Sequence, residues 1–345
     1  MGFESRRYFK IDRDRNEREG KEQVELFRGV NVDWLRLKWG FLGFSLIFSV
    51  AGIVAMGWNW SHIGSPVPLG VDFRGGTQVQ LKFVQLPDLN AIRQAIAAAG
   101  IKDANVVTYD DAAYDEVLIS LPEQKDETSL DAGRQQIEDA LKAHYANPII
   151  PAGTKVDVVG PTVGHQLESK AALATLYSML GMLVYLWFRF QLIYGVAAVV
   201  ACFHDTLITV GAFALTGQEI SLTVIAAILT LVGYSMNDTI VVFDRIRENL
   251  RLSRRESLPD VVNRSINQTL SRTVLTSGLT FLTVLSLYIF GGQVLKGFSF
   301  ALVVGILIGT YSSIAVAAPM LVSWQEWRAK QGKTTVLPAA KRSRV

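Results

Sequence analysis

Cysteine is almost absent from this sequence: Cys202 is the only one among 345 residues. An intramolecular disulfide is therefore excluded. Histidine is nearly as rare, and His62, His144 and His165 stand too far apart in sequence to suggest a metal site. Charge is scarce as well. Only 19% of residues are charged and 50% are hydrophobic, whereas soluble domains carry about a quarter charged. A nucleotide-binding loop is missing: Gly332-Lys333-Thr334 imitates the end of one, but Trp327 occupies the position of its required first glycine. The first 30 residues lack a signal-type apolar core, so no cleaved leader is expected. Neither a cofactor, a metal nor a nucleic-acid partner is read from this composition.

What is present is a set of long apolar blocks. A helix needs about 20 apolar residues to cross a bilayer. The first qualifying run is Trp39 to Trp58, and the next ends at Phe188 after starting near Ala171. Three follow near 192–215, 221–243 and 273–290, and a sixth covers 297–324. The sides of the membrane follow from lysine and arginine near the span ends. Ten basic residues precede the first span, and seven arginines face four acids between Asp244 and Arg272. The tail after Trp327 is basic, whereas Ala214 to Ser221 holds no basic residue. Basic segments are separated by even numbers of crossings, which predicts both termini on the cytoplasmic side. The expected divisions are a charged segment 1–38, a first span 39–58, an outer domain 59–168, spans two to six in 169–324 and a basic tail 325–345. The connection 244–272 is expected to be an arginine-rich cytoplasmic loop touching lipid headgroups or a partner.

Residues 59 to about 168 form the one segment long enough to fold outside the bilayer. Gln78 to Phe83 alternates, with Val79, Leu81 and Phe83 on one face of a half-buried strand. Asp88 can cap a helix that carries Leu89, Ile92 and Ile96 and closes at Gly100. Strands are predicted near 105–109 and 116–121, with an acidic turn at Asp110-Asp111 between them. A helix over about 130–145 and a strand over 155–159 complete the order β-α-β-β-α-β. That order predicts a ferredoxin-like α+β domain. The whole chain is thus read as a polytopic α-helical membrane protein with six transmembrane helices and one extracytoplasmic domain between the first two. The domain has no nucleophile–base pair, and an enzyme is not expected.

Polar groups inside spans are costly and mark function by default. Asp238 lies about five residues, roughly 7 Å, inside the cytoplasmic end of span four. A carboxyl group in such surroundings can bind and release a proton. Ser235, Asn237 and Thr239 are read as a polar cluster around it, which favours ion coupling over a helix lock. Arg272 opens span five as either a partner of Asp238 or a membrane-surface anchor. Thr273, Thr276, Ser277, Thr280 and Thr283 form a hydroxyl face suited to close packing. His204-Asp205 near the middle of span three is open to two readings, a structural pair or a relay. Gly305 and Gly309 give span six a small-residue packing stripe, and Pro319 is expected to bend its end. In the absence of ATP chemistry, work would have to come from an ion gradient, about 2.3 kcal/mol per charge across 100 mV.

Several stretches resemble the SecD/SecF family. They are Leu69-Gly70-Val71-Asp72-Phe73-Arg74-Gly75-Gly76, Val159-Gly160-Pro161-Thr162-Val163-Gly164, His204-Asp205, the run from Val232 to Asn249, Arg272-Thr273, and Gly309-Thr310-Tyr311-Ser312-Ser313-Ile314. The run through Asp238 is similar to the SecF form of that span rather than the SecD form. The match covers about residues 36 to 325, while the segment Ala315 to Pro319 has smaller side chains than the family's usual version. The resemblance implies a bacterial inner-membrane protein shaped like half of a resistance-nodulation-division transporter. It implies SecD as partner, with the SecYEG channel, YajC as a further candidate, and a preprotein engaged on the periplasmic side under the proton motive force. It places Asp238 and Arg272 among the functional intramembrane residues. Gly75 and Gly76 are expected to make a tight turn and Asp72 to hydrogen-bond it. A solute exporter using the same acid, and a scaffold indifferent to it, stand as alternatives.

Overall fold

The computed structural model describes residues 31–101, 104–108, 115–122, 132–190, 192–252 and 256–331. Between the first two long helices lies a small α/β domain. Its strands are β1 (Gly76–Phe83), β2 (Asn105–Thr108), β3 (Glu116–Pro122) and β4 (Ile149–Val159). They form one antiparallel sheet in the order β2-β3-β1-β4. With helix α1 assigned to Lys38–Ile63 and α2 to the short turn Val71–Arg74, the domain helices are α3 (Leu89–Ala98) and α4 (Ala132–His144). Alternation buries Val79, Leu81 and Phe83 of β1 against Ile92 and Ile96 of α3 and Ile137 and Leu141 of α4. This is the expected ferredoxin-like arrangement. Asp88 caps α3 by accepting from the Asn90 amide at 2.9 Å, and Gly100 follows in the left-handed region at φ 80°. The last strand starts six residues earlier than its alternation indicated: beyond a register shift between Gln80 and Lys82, β4 pairs with β1 again at Lys82–Ile150 and Phe83–Ile149. Asp110-Asp111 lies outside the described residues.

Among the described residues, six helices are long and apolar enough to cross a membrane. Spans one to six are α1, α5 (Pro161–Arg189), α6 (Leu192–Thr216), α7 (Leu222–Leu252), α8 (Leu258–Phe290), and α9 (Gly292–Ser312) continued by α10 (Ala318–Lys330). Most exceed the lengths set by hydropathy. At 1.5 Å per residue the 31 residues of α7 reach about 46 Å, well beyond the roughly 30 Å apolar layer. The connection 244–272 is accordingly mostly helical. Span four runs on to Leu252 and span five starts at Leu258, so the two helices pair as a helical hairpin. Polar ties hold it: Asn249 Nδ2 donates to Ser265 Oγ and to Gln268 Oε1, each at 2.8 Å. The segment entering span one is fastened to the same hairpin. The Trp34 amide donates to Asn263 Oδ1 at 2.8 Å, and its indole Nε1 to Asn267 Oδ1 at 2.9 Å.

Small residues set the helix contacts. A Cβ at Gly305 would lie 2.9 Å from Leu231 Cγ and one at Gly309 would lie 3.1 Å from Ser235 Cβ, so the glycine stripe of span six packs on span four as read. A pair not foreseen, Gly52 and Gly211, brings spans one and three together. A Cβ on Gly52 would sit 2.9 Å from the Gly211 Cα. Within span six a π-helical turn, Ser313–Ala317, precedes Pro319. Proline offers no amide to the carbonyl four residues back, and the wider π turn occupies this stretch of the helix.

Candidate functional site

Two carboxyl groups lie buried among the spans, one turn of span four apart in their connections. Asp205, fully buried in span three, accepts from Ser235 Oγ of span four at 2.6 Å and from Ser312 Oγ of span six at 2.7 Å. Its other oxygen lies 2.9 Å from His204 Nδ1. The residue therefore ties three helices together. His204 Nε2 is buried with no partner among the described residues.

Asp238, 1% exposed, sits three residues beyond Ser235 on span four. Its Oδ2 accepts from Ser277 Oγ of span five at 2.6 Å and from Thr310 Oγ1 of span six at 3.4 Å. A buried carboxyl group needs hydrogen bonds, and if charged it needs a counterion; here the protein supplies hydroxyls. The polar cluster expected around Asp238 separates. At 100° per residue, Ser235 and Thr239 lie about 40° apart on one face, whereas Asn237 falls about 160° away from both. Ser235 serves Asp205, exposed Asn237 turns outward, and Thr239 Oγ1 returns to the Ser235 carbonyl at 3.3 Å. The hydroxyl face of span five divides similarly. Thr273 and Ser277 are buried, whereas Thr276 and Thr283 are exposed; Thr273, Thr276, Thr280 and Thr283 all bond carbonyls of their own helix.

Arg272 forms no ion pair with Asp238. It precedes Ser277 by five residues, so it projects about 140° around the helix from the Asp238 contact. It stands exposed at a cavity of about 590 Å³ beside the helical hairpin, lined also by Arg189, Asp244, Arg245, Glu248 and Gln268.

At the opposite end of the bundle, residues 69–76 make a sharp turn into β1. Gly75 (φ 77°) and Gly76 (φ 136°) adopt backbone angles that side-chain-bearing residues avoid. Gly164 at the start of span two passes beneath this turn: a Cβ there would lie 2.9 Å from the Phe73 carbonyl carbon. Phe73 is buried with Ile220 and Val224 in an apolar cluster of the bundle. Gly70 donates its amide to the Ile220 carbonyl at 2.9 Å. Asp72 does not bond its own turn; its Oδ2 accepts from the Leu222 amide, at the first residue of span four, at 2.7 Å. Thr310 and Ser312, the partners missed as site residues, stood in view within the Gly309-Thr310-Tyr311-Ser312 stretch, but their targets lie on other helices.

Two family models match: "Protein export membrane protein SecD/SecF, C-terminal" over residues 138–327 and "SecD/SecF GG Motif" over residues 63–85. The chain is 53% identical to "Protein translocase subunit SecF" of Koribacter versatilis, covering 91% of this chain and 96% of that one. It is 41% identical to the protein of the same name from Desulfurispirillum indicum, covering 85% and 92%. Its fold is similar to the crystal structure of SecDF, a translocon-associated membrane protein, from Thermus thermophilus. The TM-score is 0.72 at 35% identity, with 86% of this chain covered, and this chain spans 39% of that longer one. The glycine turn, the six helices and relatives matched along almost their whole length converge, and this chain belongs to the SecD/SecF family as a multi-pass membrane protein, an auxiliary subunit of Sec protein translocation.

Proposed function

We propose that this subunit couples an ion gradient to preprotein translocation through Asp238. The observation that carries the reading is a carboxyl group 1% exposed between spans four, five and six, met by two hydroxyls and ion-paired with no cation among the described residues. A charge in such a place must be balanced by a proton or a metal cation, so occupancy by either changes the electrostatics of three helices at once. Ser277 and Thr310 accommodate both states, because a hydroxyl can donate to a carboxylate or accept from a protonated carboxyl. Arg272, at the nearby cavity, supplies positive potential at the mouth of the path. Asp205, saturated by three side chains, holds the helices in register.

The working complex includes SecD. The names of similar proteins support this: a SecDF subunit of Brucella abortus is 38% identical over 85% of this chain, which aligns with 37% of that protein. The translocon association named for the Thermus protein supports contact with SecYEG, and YajC and the preprotein complete the assembly we infer. Basic segments at both termini and in the helical hairpin favour a bacterial inner membrane with N and C termini cytoplasmic. The α/β domain then meets the preprotein on the periplasmic side. The exporter alternative is not favoured, since the curated relatives of matching length are named translocase subunits. A direct test is ion uptake into proteoliposomes holding the complex with SecD and a translocating preprotein. Asp238→Asn should abolish uptake while leaving assembly intact; equal uptake would remove the carboxyl group from the path.

A further inference from the structure

Span four carries Asp238, and its N-terminus is held by a residue 150 positions away. Helix N-termini leave amides without partners, which a nearby side chain normally satisfies. Here the local candidate, Ser221, reaches only the Val224 amide, at 3.4 Å. The Leu222 amide goes instead to Asp72 of the glycine turn, at 2.7 Å. The contact belongs to a denser joint. Gly70 donates to the Ile220 carbonyl at 2.9 Å and the Ile220 amide donates to the Pro68 carbonyl at 2.8 Å, so Leu69 and Ile220 pair as in a parallel sheet. Asn105 at the start of β2 donates to Glu219 at 2.8 Å. Phe73 is inserted in the apolar cluster beside Ile220 and Val224. Three residues further on, Gly76 begins β1, which pairs with both β3 and β4.

We infer that Asp72 is a positioning residue for gradient-driven export: it joins the α/β domain to span four so that the two move as one body. The inference rests on the function proposed above, because its consequence is mechanical transmission to Asp238. Leu222 and Asp238 lie 16 residues apart on one helix, about 24 Å. A displacement at either end of that helix reaches the other only if the end is held. The carboxylate suits the task, since negative charge is favoured at a helix N-terminus. Every bond of the joint crosses between the domain and the segment that opens span four, so the joint needs no hinge of its own.

The test uses the whole chain in complex with its SecD partner, with Cys202 replaced by alanine. Three forms are compared for gradient-dependent export: Asp72→Ala, Asp72→Asn, and Asp72→Ala carrying Leu69→Cys and Ile220→Cys. Bridged neighbours lie about 4.8 Å apart, within disulfide reach. Asp72→Ala should assemble, keep export that needs no gradient and lose gradient stimulation several-fold. Amide exchange at Leu222 should rise roughly tenfold, as expected from losing a cap of ordinary strength. Asp72→Asn should keep most of the stimulation, because an acceptor oxygen remains. Oxidation of the cysteine pair should restore what Asp72→Ala lost, and reduction should remove it again. The inference is overturned if Asp72→Ala retains full stimulation, or if the disulfide does not restore it. Should Asp72→Ala fail to assemble, the same cysteine pair in the presence of Asp72 decides. Unchanged stimulation after oxidation supports one body, and blocked stimulation shows that the joint must open. Asp238→Asn measured in parallel separates the two levels: if it too keeps stimulation, the coupling proposal has failed and Leu222 exchange alone tests the joint.

Discussion

Replacing Asp205 by alanine should destabilise the bundle without being specific to gradient coupling. The side chain satisfies hydroxyl donors from two other helices and contacts His204 on its own. Ser312 has a fallback at 3.2 Å in the Gly309 carbonyl; the Ser235 hydroxyl has no second acceptor among the described residues. A buried donor left unpaired costs about 1–3 kcal/mol in soluble proteins, but interhelical hydrogen bonds in membranes average only about 0.6 kcal/mol. With one donor rescued and one stranded, and a small cavity added, a loss of about 1–3 kcal/mol is expected. Asp205→Asn, which keeps one carbonyl acceptor, should lose about half as much, and Ser312→Ala less again. Reversible unfolding in mixed detergent micelles provides the measurement, with export by the assembled fraction as companion. The structural assignment is refuted if Asp205→Ala unfolds like the parent yet loses gradient-dependent export. That outcome would make His204-Asp205 a relay.

Other perturbations probe separate contacts. Gly52→Val should force spans one and three apart and cost about 1–3 kcal/mol by overpacking, because even a Cβ meets the Gly211 backbone at 2.9 Å; an unchanged unfolding midpoint would mean that the contact yields freely. Asn267→Ala should release the Val32–Trp34 segment, since Asn267 bonds the Val32 amide and carbonyl and the Trp34 indole, and tryptic cleavage at Arg36 should quicken severalfold. In the α/β domain, the hydrogen bond from Arg134 holds the Glu138 carboxyl below its ordinary value of 4.5, with Lys142 assisting against the effect of burial. A depressed carboxyl contributes stability above its unfolded value and loses it as pH falls through the folded one. The pair is half-exposed, so the contribution is about 0.3–0.5 kcal/mol. Protection of α4 amides should fall below pH 4.5 by that amount in the parent and stay flat in Glu138→Gln.

Spans and domain order were legible because apolar length and alternation are local properties. The domain's strands appear where Val79, Leu81 and Phe83 alternate, and span six packs through Gly305 and Gly309 as their spacing indicated. What escaped was pairing across distance. Gly52 and Gly211 each sit among other small residues, and nothing local says which will touch. Asp72 looked like a turn residue because turn chemistry is local, whereas its partner amide opens a helix 150 residues on. Asn237 was grouped with Asp238 by adjacency, although successive helical residues point 100° apart. Arg272 and Asp238 shared a depth but not a face. The 244–272 stretch read as loop from its charge, yet charged residues extend a helix readily once it leaves the apolar layer. Asn249 and Ser265 then close the hairpin.

The central claim is tested most directly by preprotein export into energised membrane vesicles, comparing the parent with Asp238→Asn at matched levels and with SecD assembly verified. The variant should assemble, export at the basal rate and lose the part of export that depends on the ion gradient. Stimulation that survives unchanged would make Asp238 a packing residue and move the coupling path elsewhere in the complex.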